Sequence, residues 1–462
     1  MTDKNNLKKR DGFASNLGII AAAAGSAIGL GNLWKFPYVT GQYGGAAFIL
    51  VYLLCIVLIG IPVMLSEMML GRKAEANAIT TFKKLAPRTP WFMTGVLGVA
   101  ASFFILSFYA VVAGWILAYI VRAATGVFNT MPVEQIGQYF GDYIANPVEP
   151  IIWQFIVLAF TAFVVLSGIK NGIEKYSKIL MPALFVIIII LNIRAITLPG
   201  AGEGLAFLFK PDFSKINGEA ILAALGQAFF TLSLGMAIMT TYGSYIPRKT
   251  NLVKTAVQVT IADTTIAIMA GIAIFPAVFA FGFEPSEGAG LVFITLPAVF
   301  QNMFMGQFFS VLFFVLVAIA AITSTISLME ATVAYFSEEF NWGRKFTTIL
   351  VSVALFIIGL PSALSNGGPL SDISIAGMNI FDFIDFTTAN VFLPLTALFI
   401  CIFVGWKMKT KDAVKEIFNL NNLNFDNEKP FTFELAGAYA FLTKFVAPVA
   451  IALVILRGLS II

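Results

Sequence analysis

Residues 25–37 read GSAIGLGNLWKFP: Gly25, Gly29 and Gly31, then Asn32 and Lys35, inside an apolar segment that begins near Ala14. A membrane helix at that depth is ordinarily filled with Leu, Ile and Val, and its backbone polar groups must be satisfied within the protein. Glycine tolerates distorted dihedrals and the close approach of a ligand. The stretch therefore predicts a helix that opens at mid-depth. Opening would free carbonyls for a cation and aim the N-terminus of the outer half-helix at an anionic group. Gly25 and Gly29 also fit the GxxxG spacing of tight helix packing, which is the competing explanation.

The rest of the chain supplies the membrane. Its 462 residues are 59% hydrophobic and 12% charged, with a mean hydropathy of +0.89. A soluble domain carries about 25% charged residues. Crossing a hydrocarbon core takes roughly 20 helical residues. Eleven apolar spans meet that length, at about 14–38, 44–70, 91–124, 150–168, 174–196, 218–246, 253–283, 305–339, 346–362, 381–406 and 431–456. The expectation is an all-α membrane protein of about 11 transmembrane helices, forming a single transmembrane domain over 1–462.

Lys and Arg are distributed unevenly between the loops. With the N-terminus inside, cytoplasmic segments carry 22 and outer segments with their helix ends carry 5. The positive-inside rule then places the N-terminus in the cytoplasm and the C-terminus outside; the membrane expected is a bacterial inner (plasma) membrane. The start, KKR followed by LGIIAAAAGSA, also resembles a signal peptide. Its core is weak in large apolar residues and apolar character resumes beyond it, so it is read as a retained first span. Cys55 and Cys401 both lie inside apolar runs, and the chain has no histidine. Neither a disulfide framework nor the commonest proton shuttle is implied, and no nucleophile–base pair points to an enzyme.

A second interruption lies at Gly226–Tyr245, GQAFFTLSLGMAIMTTYGSY, where Thr231, Ser233 and Gly235 break the sixth span. The first and sixth spans match if residues 14–196 and 218–406 are inverted halves, with 431–456 an extra C-terminal helix. Paired interruptions of that kind point to a midplane site between the halves. The eighth span adds four hydroxyls, Thr323, Ser324, Thr325 and Ser327, in AAITSTISLME. Hydroxyls often bond back to their own helix, but oxygen ligands with little net charge also suit a monovalent cation. Asp263 in the seventh span is an intramembrane carboxylate, a functional candidate by default.

These strings resemble the neurotransmitter:sodium symporter family. The resemblance runs from Arg10 to about Gly405 and rests on GSAIGLGNLWKFPY, GGAAFILVY, GIPVMLSEMMLGR, KNGIEKYSKILMP, GQAFFTLSLG and AITSTISLM. It implies a sodium-coupled symporter importing a hydrophobic or aromatic L-amino acid by alternating access. One sodium would be held by Gly25, Ile28, Ala320, Thr323 and Ser324, the other by Ala27, Asn32, Thr231 and Asp263. The resemblance places the amino acid's carboxylate and ammonium against Ala27, Gly29, Leu30, Gly31, Tyr109, Phe230, Thr231 and Ser233. The side chain would meet Ile105, Phe108, Phe230, Met236, Ser324, Ser327 and Leu328.

Gly29 leaves room for a carboxylate where amine transporters of the family carry aspartate. Met236 is an adaptable thioether, and Ala237 stands where a glycine is usual, which bears on the freedom of the unwound stretch. Asp263, with Tyr52, Gln227 and Thr231 nearby, implies that no chloride is needed, since the carboxylate supplies the negative charge. The gates would be Lys35 with Asp385 (or Asp382) outside, and Arg10 with Glu338 inside, near Phe13, Ser244 and Tyr245. Glu67 would bond the opened sixth helix, and the Gly172–Pro182 spacing resembles one at which the fifth helix unwinds.

The ligands expected are two sodium ions and a small amino acid, in a lipid bilayer, with no nucleic acid, in a monomer or weak homodimer. Alternatives are a symporter of the same fold for another small amine or osmolyte, an amino-acid-sensing transceptor, or an ion channel.

Overall fold

Each long apolar run closes its backbone hydrogen bonds within one helix, as a hydrocarbon layer demands. The computed structural model describes residues 11–282, 290–418, 430–459 and 461, without the side chains of 430–433. Among the described residues, nine unbroken helices are long and apolar enough to cross a bilayer: Ala46–Ala74, Phe92–Ala124, Glu149–Leu166, Ile169–Ile196, Leu252–Ala280, Gly306–Glu339, Arg344–Leu364, Ile380–Lys407 and Glu434–Gly458. The bent pair Asn16–Ala27 and Gly31–Gln42, angled by 50°, makes a tenth span. A further one is broken more widely, into Gly218–Thr231 and Ile238–Gly243. The eleven expected spans are all present, in order.

Boundaries moved where polar residues are paid for locally. The second span continues to Ala74, four residues past the expected end. Arg72 sits fully buried in its last turns, with Nε 2.8 Å from Glu416 and Nη1 donating to the Thr250 carbonyl at 2.7 Å. The fifth span starts at Ile169 rather than 174 because a π-helical turn, Ile169–Glu174, absorbs Lys170, Asn171 and Glu174. Loops carry short helices that hydropathy alone did not mark: Val127–Thr130, Ile136–Ala145, Ala201–Phe209 and Leu291–Gln301.

Side-chain caps fix several helix starts. Ser15 Oγ accepts from the Gly18 amide at 3.0 Å, Asn217 from Ala220 at 2.9 Å, and Asn251 from Lys254 at 2.9 Å. Such caps are each worth about 1 kcal/mol.

The two halves of the sixth span pack against opposite stretches of the second span. The inner half lies so close to the second span that a Cβ at Gly71 would reach 1.8 Å from the Thr240 carbonyl oxygen, and one at Gly243 2.4 Å from that of Met68. The outer half packs against the first part of that same span, Ala46–Cys55, and against the final helix. There Arg457 pairs with Glu219.

Candidate functional site

The first span opens because Ile28 turns extended, with ψ 101°, after its amide closes a last helical bond to Ala24 at 2.7 Å. The Gly29 amide, freed from its helix, donates to Asn32 Oδ1 at 3.1 Å. Asn32 in turn donates through Nδ2 to Asp263, to Oδ1 at 2.8 Å and to the backbone carbonyl at 3.1 Å. Thr231 Oγ1 reaches both Asp263 oxygens, at 3.0 and 3.2 Å. Asn32 and Asp263 are fully buried and Thr231 nearly so. Residues 231 apart in sequence thus meet across the breaks of the first and sixth spans.

The sixth span opens through three left-handed residues, Ser233 (φ 53°), Gly235 (φ 76°) and Ala237 (φ 58°). Only one of them is glycine, so packing must hold the other two in a conformation that costs roughly 1–2 kcal/mol. Glu67 Oε1 accepts from the Gly235 amide at 2.8 Å, as the sequence suggested, and Ser102 Oγ donates to the Met236 carbonyl. Gln227 Nε2 donates to the Gly31 carbonyl at 2.7 Å, tying the two breaks together. Ala237 keeps the opened stretch despite lacking glycine's freedom.

The eighth span closes the third side. Ser324 Oγ bonds the Ser26 and Ala320 carbonyls, each at 3.2 Å, and Ser233 Oγ donates to the same Ser26 carbonyl at 2.9 Å. Thr323 donates to Ala320 at 3.0 Å, and a Cβ at Gly25 would stand 3.3 Å from its own Cβ. The structure thus brings Gly25 to Thr323, and Asn32 to Thr231 and Asp263. No group of three His, Cys, Asp or Glu that could hold a metal occurs among the described residues. The donors gathered here are carbonyls, hydroxyls, an amide and one carboxylate, a set suited to hard cations rather than to transition metals.

Between these elements lies a cavity of about 30 Å³ lined by Ser26, Ala27, Gly29, Ile105, Tyr109, Phe230, Ser233, Met236, Ile238, Ser324 and Leu328. The Leu30 amide donates to Tyr109 Oη at 3.1 Å at its edge. A Cβ at Gly29 would stand 2.6 Å from Ser324 Oγ and 3.0 Å from Tyr109 Oη. Tyr109 and Phe230 also face a second cavity, of about 360 Å³, that contains Trp34, Lys35, Phe108, Phe381, Asp382 and Asp385. Phe230 therefore stands between a small inner chamber and a wide vestibule.

With that geometry in place, known proteins can be compared. The model of the Sodium:neurotransmitter symporter family matches residues 10–141 and 135–460. The chain belongs to this family. The uncharacterized sodium-dependent transporter YhdH of Bacillus subtilis is 42% identical over 97% of this chain and 98% of its own length. A solved structure of MhsT in complex with L-phenylalanine superposes with TM-score 0.88 at 48% identity, over 97% of this chain and all of that one. A sodium- and chloride-dependent betaine transporter of Caenorhabditis elegans is 26% identical over 74% of this chain and 66% of its own length. The chain is accordingly a sodium-dependent transporter of the symporter family and an integral membrane protein, not an enzyme.

Three family-derived positions fall elsewhere than the sequence placed them. Phe108 faces the vestibule rather than the chamber. Ser327 is engaged below the chamber, donating to the Thr323 carbonyl at 3.0 Å and accepting from Tyr242 Oη at 2.8 Å. Lys35 shares the vestibule with Asp382 and Asp385 without an ion pair to either, its Nζ lying 4.7 Å from the centre of the Phe230 ring. Asp382 instead accepts from Asn379 Nδ2 at 2.9 Å. A lysine lacks the forked guanidinium that would clamp a carboxylate across such a gap. Sequence reasoning missed Ser26 and Ile238 as chamber walls. Both sit within quoted strings, Ser26 in the first-span motif and Ile238 in the sixth-span interruption just after Met236 and Ala237.

The other predicted gate lies beyond the chamber, around Phe13, Tyr245 and Glu338. Arg10 lies outside the described residues; Glu338 accepts from the Asn77 amide at 2.9 Å and its Nδ2 at 3.0 Å. Phe13 stacks edge-on against Tyr242 with centroids 5.7 Å apart, and its amide donates to the Tyr245 carbonyl at 3.3 Å. Tyr245 Oη donates to Glu330 at 2.7 Å, and Glu330 pairs with Arg344.

Residues 11–15 are also held by the π-helical turn of the fifth span. Asp11 accepts from the Ile169 amide at 2.8 Å, and Glu174 accepts from the Ala14 amide and Ser15 Oγ, each at 2.7 Å, while pairing with Lys178. Hydrogen bonds to a charged group contribute roughly 1.5–3 kcal/mol. Glu174→Gln should therefore loosen the first span's inner half without unfolding the chain. A cysteine at Ala21 should react with a thiol reagent at least fivefold faster in that background, since native Cys55 and Cys401 are buried. Equal rates would show that the carboxylate is not what holds the helix.

Proposed function

We propose that the chain is a sodium-coupled symporter that imports apolar and aromatic L-α-amino acids by alternating access, without needing chloride. The observation that carries this reading is the chamber itself. One end presents the Tyr109 hydroxyl beside Gly29, with the Leu30 amide bonded to that hydroxyl, and the rest is apolar apart from serine hydroxyls. A carboxylate fits the first end, while a charged substrate side chain would have no countercharge in the remainder and would be costly to bury. Phenylalanine in the related MhsT complex fits the same expectation.

Two sodium ions would occupy the positions given by Gly25, Ile28, Ala320, Thr323 and Ser324, and by Ala27, Asn32, Thr231 and Asp263. The substrate carboxylate beside Asn32 would share the second ion, so each ligand raises the other's affinity. Each sodium entering at 100 mV contributes about 2.3 kcal/mol, and a tenfold gradient adds about 1.4 kcal/mol. Two ions supply roughly 7 kcal/mol, the equivalent of about five decades of accumulation.

The charge asymmetry of the loops supports a bacterial inner-membrane location with the N-terminus cytoplasmic and the C-terminus outside. A monomer or weak homodimer is the proposed assembly. The betaine-transporting relative makes an osmolyte the second reading; a betaine has a carboxylate but a quaternary amine that cannot donate to the Ser233 hydroxyl or to backbone carbonyls. Proteoliposome uptake with a panel of radiolabelled substrates decides between them. Sodium-dependent accumulation of leucine, phenylalanine or tryptophan is expected. Preference for betaine, lysine, aspartate or glycine, or binding without accumulation, would overturn the proposal.

A further inference from the structure

We infer that Ile238 is the rigid wall that limits how large a substrate side chain the chamber admits, with Met236 the adaptable wall beside it. The inference rests on the amino-acid reading above and goes beyond it by naming a specificity-determining residue. Ile238 and Met236 both line the chamber, on either side of Ala237. Ala237 does not line it. Its left-handed backbone, φ 58°, lets its two neighbours share one side while its own methyl lies against the third span, 3.1 Å from where a Cβ at Gly98 would be.

The backbone leading into Ile238 is pinned. Ser102 holds the Met236 carbonyl, and the Ala237 carbonyl accepts from the Thr241 amide at 2.9 Å and Thr241 Oγ1 at 2.8 Å. Ile238 begins the inner half-helix and is 1% exposed.

The two liners differ in kind. Methionine is unbranched and refits around different shapes. Isoleucine in a helix is confined almost to one χ1 rotamer. A larger substrate side chain can displace the thioether but not the branched side chain on a fixed backbone. Ile238 therefore sets the upper size limit.

The test is equilibrium binding of leucine and tryptophan to the purified full chain in saturating sodium, for wild type, Ile238→Ala and Met236→Ala. A methylene more or less in an apolar pocket changes discrimination about tenfold or more. Ile238→Ala should move the tryptophan-to-leucine affinity ratio at least tenfold toward tryptophan, and Met236→Ala less than threefold. Should the alanine variant not fold, Ile238→Val should move the ratio the same way by about tenfold. Sodium-dependent binding with an unmoved ratio overturns the inference alone. Failure of wild type to bind any amino acid overturns the substrate reading and this inference with it.

Discussion

An Asp263→Asn variant should lose at least a hundredfold of its sodium-driven leucine uptake when gluconate replaces chloride, and recover to within tenfold of wild type when chloride returns. Wild type should be indifferent to the exchange. Asp263 is fully buried, and its carboxylate accepts from Asn32 and Thr231. Those neutral donors orient a negative charge but do not neutralise it. Removing one member of a buried ion pair costs roughly 3–5 kcal/mol, here the loss of the charge that faces a bound sodium. The amide keeps the shape and one acceptor, so the variant should fold. Tyr52 lies close enough to Asp263 to interact electrostatically, and Gln227 bonds the neighbouring Gly31 carbonyl. Both could face an anion brought in as replacement. Uptake by the variant that ignores chloride would refute the charge-compensation argument.

A single methyl at Gly29 should cost at least a hundredfold in leucine affinity. The added Cβ would stand 2.6 Å from Ser324 Oγ and 3.0 Å from Tyr109 Oη, closer than such contacts allow. Neither neighbour can yield freely. The serine hydroxyl is bonded to the Ser26 and Ala320 carbonyls, and the tyrosine accepts from Leu30. The methyl would also fill the space assigned to the substrate carboxylate. Forcing an extra methyl into packed protein costs about 1–3 kcal/mol in stability, so the variant should still be purified. Gly226→Ala is the matched control, because a Cβ there meets nothing within 4 Å. Its affinity should stay within twofold of wild type, as measured by isothermal titration in sodium. Equal affinities in the two variants would remove Gly29 from the site.

Apolar length located the spans, and the polar interruptions at Gly25–Asn32 and Thr231–Gly235 located the breaks. Those signals are local, so a sequence carries them. What stayed hidden depends on distant partners. Ser233 and Ala237 take left-handed backbones only because Glu67, Ser102 and Gly98 from other spans hold the stretch. The early start of the fifth span follows from Asp11, Ala14 and Ser15 meeting its polar first turn. Arg72 counted as a loop charge until Glu416 and the Thr250 carbonyl met it inside the protein. Ser327 shares a helix face with Thr323, as its spacing required, but that face turns toward Tyr242 rather than into the chamber.

The six residues between Thr231 and Ile238 carry no continuous helical ladder, and the segments they join pack on opposite stretches of the second span. A straight rod would pass any tilt at one membrane face directly to the other. Here that direct path is interrupted between the Glu219–Arg457 contact and the tight seam at Gly71 and Gly243, and the second span is what joins the two ends. A bend at the break therefore lets the two halves of the sixth span tilt by different amounts, with the second span as the rail along which each tilt is felt by the other.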